Sequence, residues 1–592
     1  MEQSPRHPRQ DPASAPDPAT EAATEPDHDG STGPESVASD DVTSSAAATG
    51  GSGAGIARAS ALMASGTMAS RVLGMVKSLV LASVIGGGLA ADAFDVANSL
   101  PNQFYNLIAG GILTAVLVPQ ITKAAKQDDD GGVEFTHKLL TLAMLIMLGA
   151  TLLCVVLAPV LVRVFTHGWG PEPLHLATAF AIICLPQVFF YGLTALLGQV
   201  LNARGRFAAF GWTPAWANLV SLVGMGIGWW VLGWPRQGPV GSWTPQMIWM
   251  LGGTATLGIA VQALFLVIPL RRAGYVYRPR FGFRGVGLGS ASRVALWTFA
   301  AVAVSQLGFV LTSRVLTWAM EDMTMRGIEG AGKTSYSNAF LFFMLPHSLV
   351  TVSIATALFT RLSNSVHDGR TDLVVSDLGR GLRMPAVLLV PVTVGGVLLA
   401  TPVFELLFGT LAGWPHPRVL ATAAVFVAMV AGLVPYGWLY LIQRVYYAHE
   451  DARTAFRLQV VVTLVATAVN LLAFTLPPER ASVVVGVGQS LSNLVAALLG
   501  FWLLRRKLGP LRLMRSVQTY VRLILASLVA AVPTWLLLHL LHRPHGGLVV
   551  QLTVLLLSGV LFLGCAFAMA HRMRVAEVRD LLDPIARRLR RA

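Results

Sequence analysis

Apolar residues run through this chain in long, nearly unbroken stretches rather than in the short alternations of a soluble domain. About fourteen stretches reach roughly 18 residues, enough for a helix to cross about 30 Å of hydrocarbon. They lie near 60–86, 93–122, 138–166, 175–202, 212–234, 246–270, 290–320, 335–361, 382–409, 418–444, 455–476, 481–504, 518–541 and 546–571. Several contain Gly or Pro, which membrane helices accept where neighbours satisfy the freed backbone groups. The pattern predicts an all-α polytopic membrane protein.

Residues 1–54 differ in kind, being rich in Pro, Ala, Ser, Thr, Asp and Glu without aliphatic periodicity. They read as a disordered acidic tail. No basic start with a short apolar core opens it, so the first membrane helix is expected to act as an uncleaved insertion signal.

Charge falls between the stretches, and unevenly. Alternate connections carry Lys123 and Lys126, Arg204 and Arg206, "RRAGYVYRPRFGFR", "RLSNSVHDGR", "RVYYAHEDARTAFR" and "RRKLGPLRLMR". The opposite connections hold isolated cations such as Arg236, Arg326, Arg418, Arg480 and Arg543. About thirty cations on one side against about seven on the other place both termini in the cytoplasm. The chain is 54% hydrophobic and 12% charged, with mean hydropathy +0.62 and net charge +14. That surplus is therefore mostly a topology signal, and no nucleic-acid partner is expected because no soluble basic domain exists to present it. The C-terminal "VAEVRDLLDPIARRLRRA" fits either an amphipathic basic helix on the inner leaflet or an ordinary positive-inside cap.

Cys154, Cys184 and Cys565 all lie within apolar stretches, which predicts buried thiols and neither a disulfide nor a metal framework. Neither an HExxH nor a P-loop site is expected, nor a soluble domain long enough to hold a nucleotide. A secondary transporter, a channel or a membrane scaffold remains. No cofactor is expected; active transport would draw on the membrane potential, Na⁺ or H⁺.

The stretch "MASRVLGMVKSLVLASVIGGG", residues 68–88, carries two cations where lipid would surround it. At about 100° per residue, Ser70 and Lys77 align, Arg71 and Ser78 lie beside them, and Gly74 falls between. A cation at mid-bilayer costs roughly 2.5–3.5 kcal/mol even on the lenient insertion scale, so this polar stripe should face a wet cavity. The plain alternative starts the apolar helix after Arg71, whose side chain then snorkels to the surface.

Other stretches add polar groups. "ADAFDVANSLPNQFYN" opens the second helix with Asp92, Asp95, Asn98 and Asn102, and Pro101 breaks its backbone pattern. Asp92 is either an ion-coupled switch or a structural cap. The seventh stretch holds Gln306, Thr312, Ser313 and Arg314; Arg314 either lines the cavity or snorkels outward. The eighth holds Tyr336, Asn338, Pro346 and His347, the last read mainly as a packing residue. Glu405 is read as a solvated group near a helix end.

These residues resemble a known family. "SRVLGMVKSLVLASVIGGGLAADAFDVANSLPN" is similar to the N-terminal signature of the MurJ (MviN) lipid II flippases of the MOP exporter superfamily. The resemblance continues in "LNARGRFAAFGWTPAWANL", "YVYRPRF" and "RVYYAHEDARTAFRLQVVVTLVATAVNLL", and spans roughly residues 60–575. It implies fourteen helices in two pseudo-symmetric lobes around a central cavity, MATE-like, with both ends inside. On that basis the first lobe takes 55–285, the second 286–505, a final helix pair 506–575 and a basic tail 576–592. A faint internal echo agrees: two segments run from a helix end through a polar turn into a helix bearing Asn218 or Asn470.

The resemblance implies a polyprenyl pyrophosphate bearing a disaccharide-pentapeptide, lipid II, as substrate, moved between leaflets of the bacterial plasma membrane by alternating access. Cell-wall synthesis proteins become candidate partners of the tails. Arg71 and Lys77 would hold phosphate oxygens, Ser70 and Ser78 would donate hydrogen bonds, and Gly74 would let the head group approach. Asn102 joins this set, with Pro101 as a hinge. Ser70, Arg71 and Asp92 match the family motif; Lys77 stands where many relatives carry Arg.

Two departures stand out. "LPNQFYNLIAGG" lacks the basic run expected after LPN, and "YSNAFLFFMLP" lacks an Asp-Arg pair. Either Arg314 partly substitutes or fewer charges suffice, a pattern resembling the high-GC Gram-positive branch. Two alternatives stay open: an exporter of another lipid-linked glycan or amphiphile, and a transport-dead scaffold of wall synthesis.

Overall fold

The computed structural model describes residues 53–108, 133–203, 207–233, 238–281, 293–542 and 546–579. The acidic tail, Lys123, Lys126, Arg204, Arg206 and the last thirteen residues (580–592) lie outside them. Among the described residues everything regular is helix: α1 Gly53–Ile85, α2 Leu89–Ile108, α3 Val133–Val156, α4 Ala158–Phe165, α5 Pro171–Cys184, α6 Gln187–Ala203, α7 Phe207–Leu232, α8 Pro245–Phe265 and α9 Val267–Arg272 form the first lobe. The second lobe comprises α10 Arg293–Met325, α11 Lys333–Pro346, α12 Val352–His367, α13 Thr371–Phe404, α14 His416–Val430, α15 Leu433–Ala448, α16 Ala452–Ala473 and α17 Pro478–Leu508. A last pair, α18 Met514–Leu541 and α19 Leu548–Arg572, packs on α13.

Among the described residues twelve helices are long and apolar enough to span a membrane, and α14 with α15, bent by 42°, supplies a thirteenth span. The remaining expected span is α2, whose Asp92, Asp95, Asn98 and Asn102 keep it out of that set. Several helices outrun their apolar stretches. α13 begins at Thr371, eleven residues before the predicted start, because a polar segment with Asp372, Asp377 and Arg380 continues the helix ahead of its apolar stretch. Two spans contain π-helical turns, His347–Thr351 after Pro346 and Glu405–Leu411 after Pro402, where proline removes a backbone donor.

The lobes repeat one another. α1 packs on α7 as α10 packs on α16, and α7 on α8 as α16 on α17. The echo seen in sequence has a shared function: Asn218 Nδ2 donates to the Ser70 carbonyl on α1 (3.0 Å), and Asn470 Nδ2 donates to Thr312 Oγ1 on α10 (3.0 Å). Close approach of α1 and α7 depends on Gly66, where a Cβ would meet the Gly211 carbonyl at 2.7 Å.

We call the side where α1 ends the far side and the opposite one the near side. Phe94, Leu100 and Phe180 centre the far half of the first lobe, and Leu139, Met147 and Leu201 its near half. Phe343, Phe404, Phe408 and Met429 fill the far half of the second lobe, and Ala82 of α1 is packed among them. The lobes are thus joined on the far side.

Candidate functional site

Two members of the polar stripe of α1, Arg71 and Ser78, reach toward the second lobe. Ser70, Arg71, Lys77 and Ser78 are half-buried and Gly74 is buried, a pattern that lipid-facing positions would not give. Ser78 Oγ donates to Asn338 Oδ1 on α11 at 2.5 Å, and Asn338 Nδ2 donates to the Thr334 carbonyl. Arg71 lies close enough to His347 for its charge to act on that ring. Lys77 makes no ion pair or hydrogen bond among the described residues. One cation of the stripe is therefore uncommitted.

His347 is fully buried between Tyr436 and Tyr440, with ring centroids 4.4 and 5.2 Å away. Neither ring nitrogen has a hydrogen-bond partner among the described residues, nor does Thr351 Oγ1 in the same π-helical turn. Asn102 is buried and accepts from Asn106 Nδ2 at 2.9 Å; Pro101 is buried within an unbroken α2.

Asp92 does something the sequence did not reveal. Fully buried, its carboxylate accepts the backbone N–H of Lys333 (2.8 Å) and of Thr334 (2.7 Å), so an acid of the first lobe caps the N-terminus of α11 in the second. Beside it, Lys333 Nζ pairs with Asp95 at 2.7 Å while Ser337 Oγ donates to the same carboxylate oxygen at 2.8 Å. Trp414 Nε1 donates to the Ala82 carbonyl (2.9 Å), and Arg418, buried against Gly87 and Gly88, pairs with Glu329. Gly87 is needed there, since a Cβ would meet the Trp414 ring at 2.8 Å.

Arg314 is placed away from the stripe. Its guanidinium donates to the carbonyls of Arg163, Val164 and Thr166 at 3.3, 3.1 and 3.0 Å, closing over the C-terminus of α4, and touches His167 Nδ1 at 3.0 Å. Trp169 Nε1 donates to the Thr317 carbonyl, and the Gly170 N–H to Glu321. These bonds make a second latch between lobes, also on the far side.

Three expectations need correction. Cys565 is half-buried, whereas Cys154 and Cys184 are buried as expected. Glu405 is buried, not solvated: its π-helical turn points the carboxylate at His542 Nε2 (2.7 Å) and His416 Nδ1 (3.6 Å), tying the α18–α19 connection to α13. The P-loop pattern does occur, since Gly327–Thr334 reads GIEGAGKT. Its context is wrong for a nucleotide fold: it joins two membrane helices rather than a strand and a helix, and carboxylates already occupy its helix N-terminus. Lys333 was missed because it sits just outside the eighth apolar stretch. Among the described residues no group of three or more His, Cys, Asp or Glu is arranged to hold a metal.

Two related lobes, latched at one side around a half-buried basic stripe, define a membrane transporter of alternating-access architecture. Solved structures share that fold. One described as lipid II flippase MurJ, inward closed conformation, superposes with a TM-score of 0.66 at 18% identity, covering 86% of this chain and 99% of that one. An inward-facing multidrug resistance MATE transporter of the MOP superfamily gives 0.53 at 15% identity, covering 75% and 96%. The family model described as "Lipid II flippase MurJ" matches residues 81–557, and the chain belongs to that family. Its curated relatives include proteins named probable lipid II flippase MurJ from Vibrio cholerae, 28% identical over 66% of this chain and 72% of that protein, and from Haemophilus influenzae, 26% identical over 79% and 90%.

Proposed function

We propose that this chain carries the pyrophosphate-linked head group of lipid II between leaflets through the seam between its lobes, with the near side in the cytoplasm. The observation that supports this is the α1 stripe: in a chain of the MurJ family, Ser78 bonds across to α11 of the opposite lobe and Arg71 lies near His347 there. A pyrophosphate entering a low-dielectric seam needs such cations, while a prenyl tail stays in lipid. Arg71 and Lys77, about 9 Å apart along the helix axis, would engage the phosphate oxygens, with Ser70 and Ser78 as donors and Gly74 and Asn102 shaping the approach.

The near-side orientation rests on the Lys and Arg bias of its loops. Asp92 and Arg314 serve as the two far-side latches, closed while the head group is admitted and broken on release. The energy comes from the membrane potential or an ion gradient; Asp92 is the candidate through which an ion would act, and Pro101 lends α2 its pliability. Wall-synthesis proteins would dock on the tails.

The test is outer-leaflet lipid II, read by its accessibility to an enzyme added outside, in bacteria depleted of their own flippase. The chain should restore exposure and Arg71→Ala should not, at equal abundance. Restoration by both keeps the function and removes the stripe assignment. A well-folded chain that restores nothing removes the function.

A further inference from the structure

The carboxylates of Asp92 and Asp95 occupy a place built for an oxyanion. Two backbone N–H groups at the start of α11, at 2.8 and 2.7 Å, and the Lys333 ammonium, at 2.7 Å from Asp95, converge there from the second lobe. α11 has fourteen residues, so its N-terminal partial charge is developed. Gly332 leaves no room for a Cβ against Asp92, so backbone and anion are in close contact. The buried Arg418 is near enough to Asp92 for their charges to interact. A second feature points to a ligand beyond the two aspartates. Ser335 Oγ, fully buried on the same turn, has no hydrogen-bond partner among the described residues, while Thr334 Oγ1 lies against Asp92 as a further donor to its carboxylate. This turn thus carries one donor, Ser335 Oγ, that the aspartates leave unused.

The carboxylate acceptors of the cradle belong to the first lobe and these donors to the second. Parting of the lobes on the far side therefore withdraws the acids and exposes the donors together. We infer that the α11 N-terminus, with Lys333, Thr334 and Ser335, is a second oxyanion site that takes a pyrophosphate group at the far side when Asp92 and Asp95 leave it. The inference rests on the proposed function: Arg71 and Lys77 would hold the pyrophosphate while the far side is closed, and the cradle would receive it on opening. The aspartates act as internal stand-ins for phosphate. They keep the donors satisfied in one state and make closure compete with the departing anion.

Inorganic pyrophosphate binding to the purified full chain tests this, in a background where Arg71→Gln and Lys77→Gln silence the stripe. Adding Asp92→Asn and Asp95→Asn should strengthen binding roughly tenfold or more, and adding Lys333→Gln should abolish that gain. No gain on neutralising the aspartates, or a gain that survives Lys333→Gln, overturns the site. Loss of binding when only the stripe is silenced bears on the proposed function, and is read separately. A transport arm separates the sources of the anion. Lys333→Gln should slow lipid II release in vesicles while Asp95→Asn, which breaks the same ion pair but keeps the cation, should not. Equal slowing by both reduces Lys333 to a latch and overturns the role in release. Wild-type release by Lys333→Gln, where that substitution still abolishes the pyrophosphate binding gain, assigns the cradle to free phosphate instead of the lipid.

Discussion

Replacing Asp92 with alanine removes both acceptors that cap α11 from the opposite lobe. Hydrogen bonds to an ionised group contribute roughly 1.5–3 kcal/mol each, so two at the low end sum to about 3 kcal/mol. The far-side-closed state holds these bonds at 2.8 and 2.7 Å, and the open state replaces them with water. At 1.4 kcal/mol per tenfold, the closed-to-open ratio should fall about 100-fold in Asp92→Ala and about tenfold in Asp92→Asn, which keeps one acceptor. Spin labels at Trp230 and Met325, both strongly exposed at far-side helix ends of different lobes, would report the change as a longer distance by pulsed electron resonance. The labels need replacement of Cys154, Cys184 and Cys565. The experiment belongs in wild-type and Arg314→Ala backgrounds, because the α4 latch alone can hold the lobes together. A distance distribution unchanged by Asp92→Ala in both backgrounds, in folded protein, would refute the claim that this cap closes the far side.

Four further outcomes follow from particular contacts. Gly66→Val, forced against the Gly211 carbonyl, should destabilise the α1–α7 pair by about 1–3 kcal/mol, visible as a lower midpoint in thermal unfolding. His347→Phe should be neutral or stabilising in the same assay, because it removes two buried nitrogens without partners while keeping a ring between Tyr436 and Tyr440; marked destabilisation would show that those nitrogens are bonded in the membrane. Glu405→Ala should cost about 1–3 kcal/mol and raise proteolysis of the α18–α19 connection, since it unties His542. Asp451 caps α16 through Thr454 and pairs with Lys507 at 3.0 Å; burial pushes its carboxyl up, but those bonds outweigh it and hold it below the ordinary 3.8. A lowered acid stabilises the fold above its unfolded value and loses that contribution as pH falls through the folded one. Asp451→Asn should therefore cost about 1 kcal/mol at pH 7, and the difference from wild type should vanish well below pH 3.8.

What the sequence made legible was what a single helix carries. Unbroken apolar stretches located the spans, and the spacing of Ser70, Arg71, Lys77 and Ser78 put one polar face on α1, of which Ser78 and Arg71 reach toward the other lobe. The Asn218 and Asn470 echo was visible because each lies at the same place in its own repeat. The far-side latches were not legible, because each joins residues that only the fold brings together. Asp92 and Lys333 stand 241 residues apart, and neither polarity nor spacing of one names the other. Glu405 misled for the same reason, since its partner His542 arrives 137 residues later. Arg314 had no acid within reach in sequence, and its partners proved to be backbone carbonyls, which every residue has and none advertises. The letters GIEGAGKT show the converse: a motif is defined by spacing, and only the strand or helix before it gives it meaning.

The most direct test of the central claim is lipid II movement in vesicles containing the purified chain. Lipid II is placed in one leaflet and its appearance in the other is followed with an enzyme that cannot cross the membrane. The account predicts transfer by the wild type, little transfer by Arg71→Ala with Lys77→Ala, and retained binding of the prenyl tail by both. Equal transfer by wild type and the double variant, or none by a folded wild type under an imposed membrane potential and ion gradients, would contradict it.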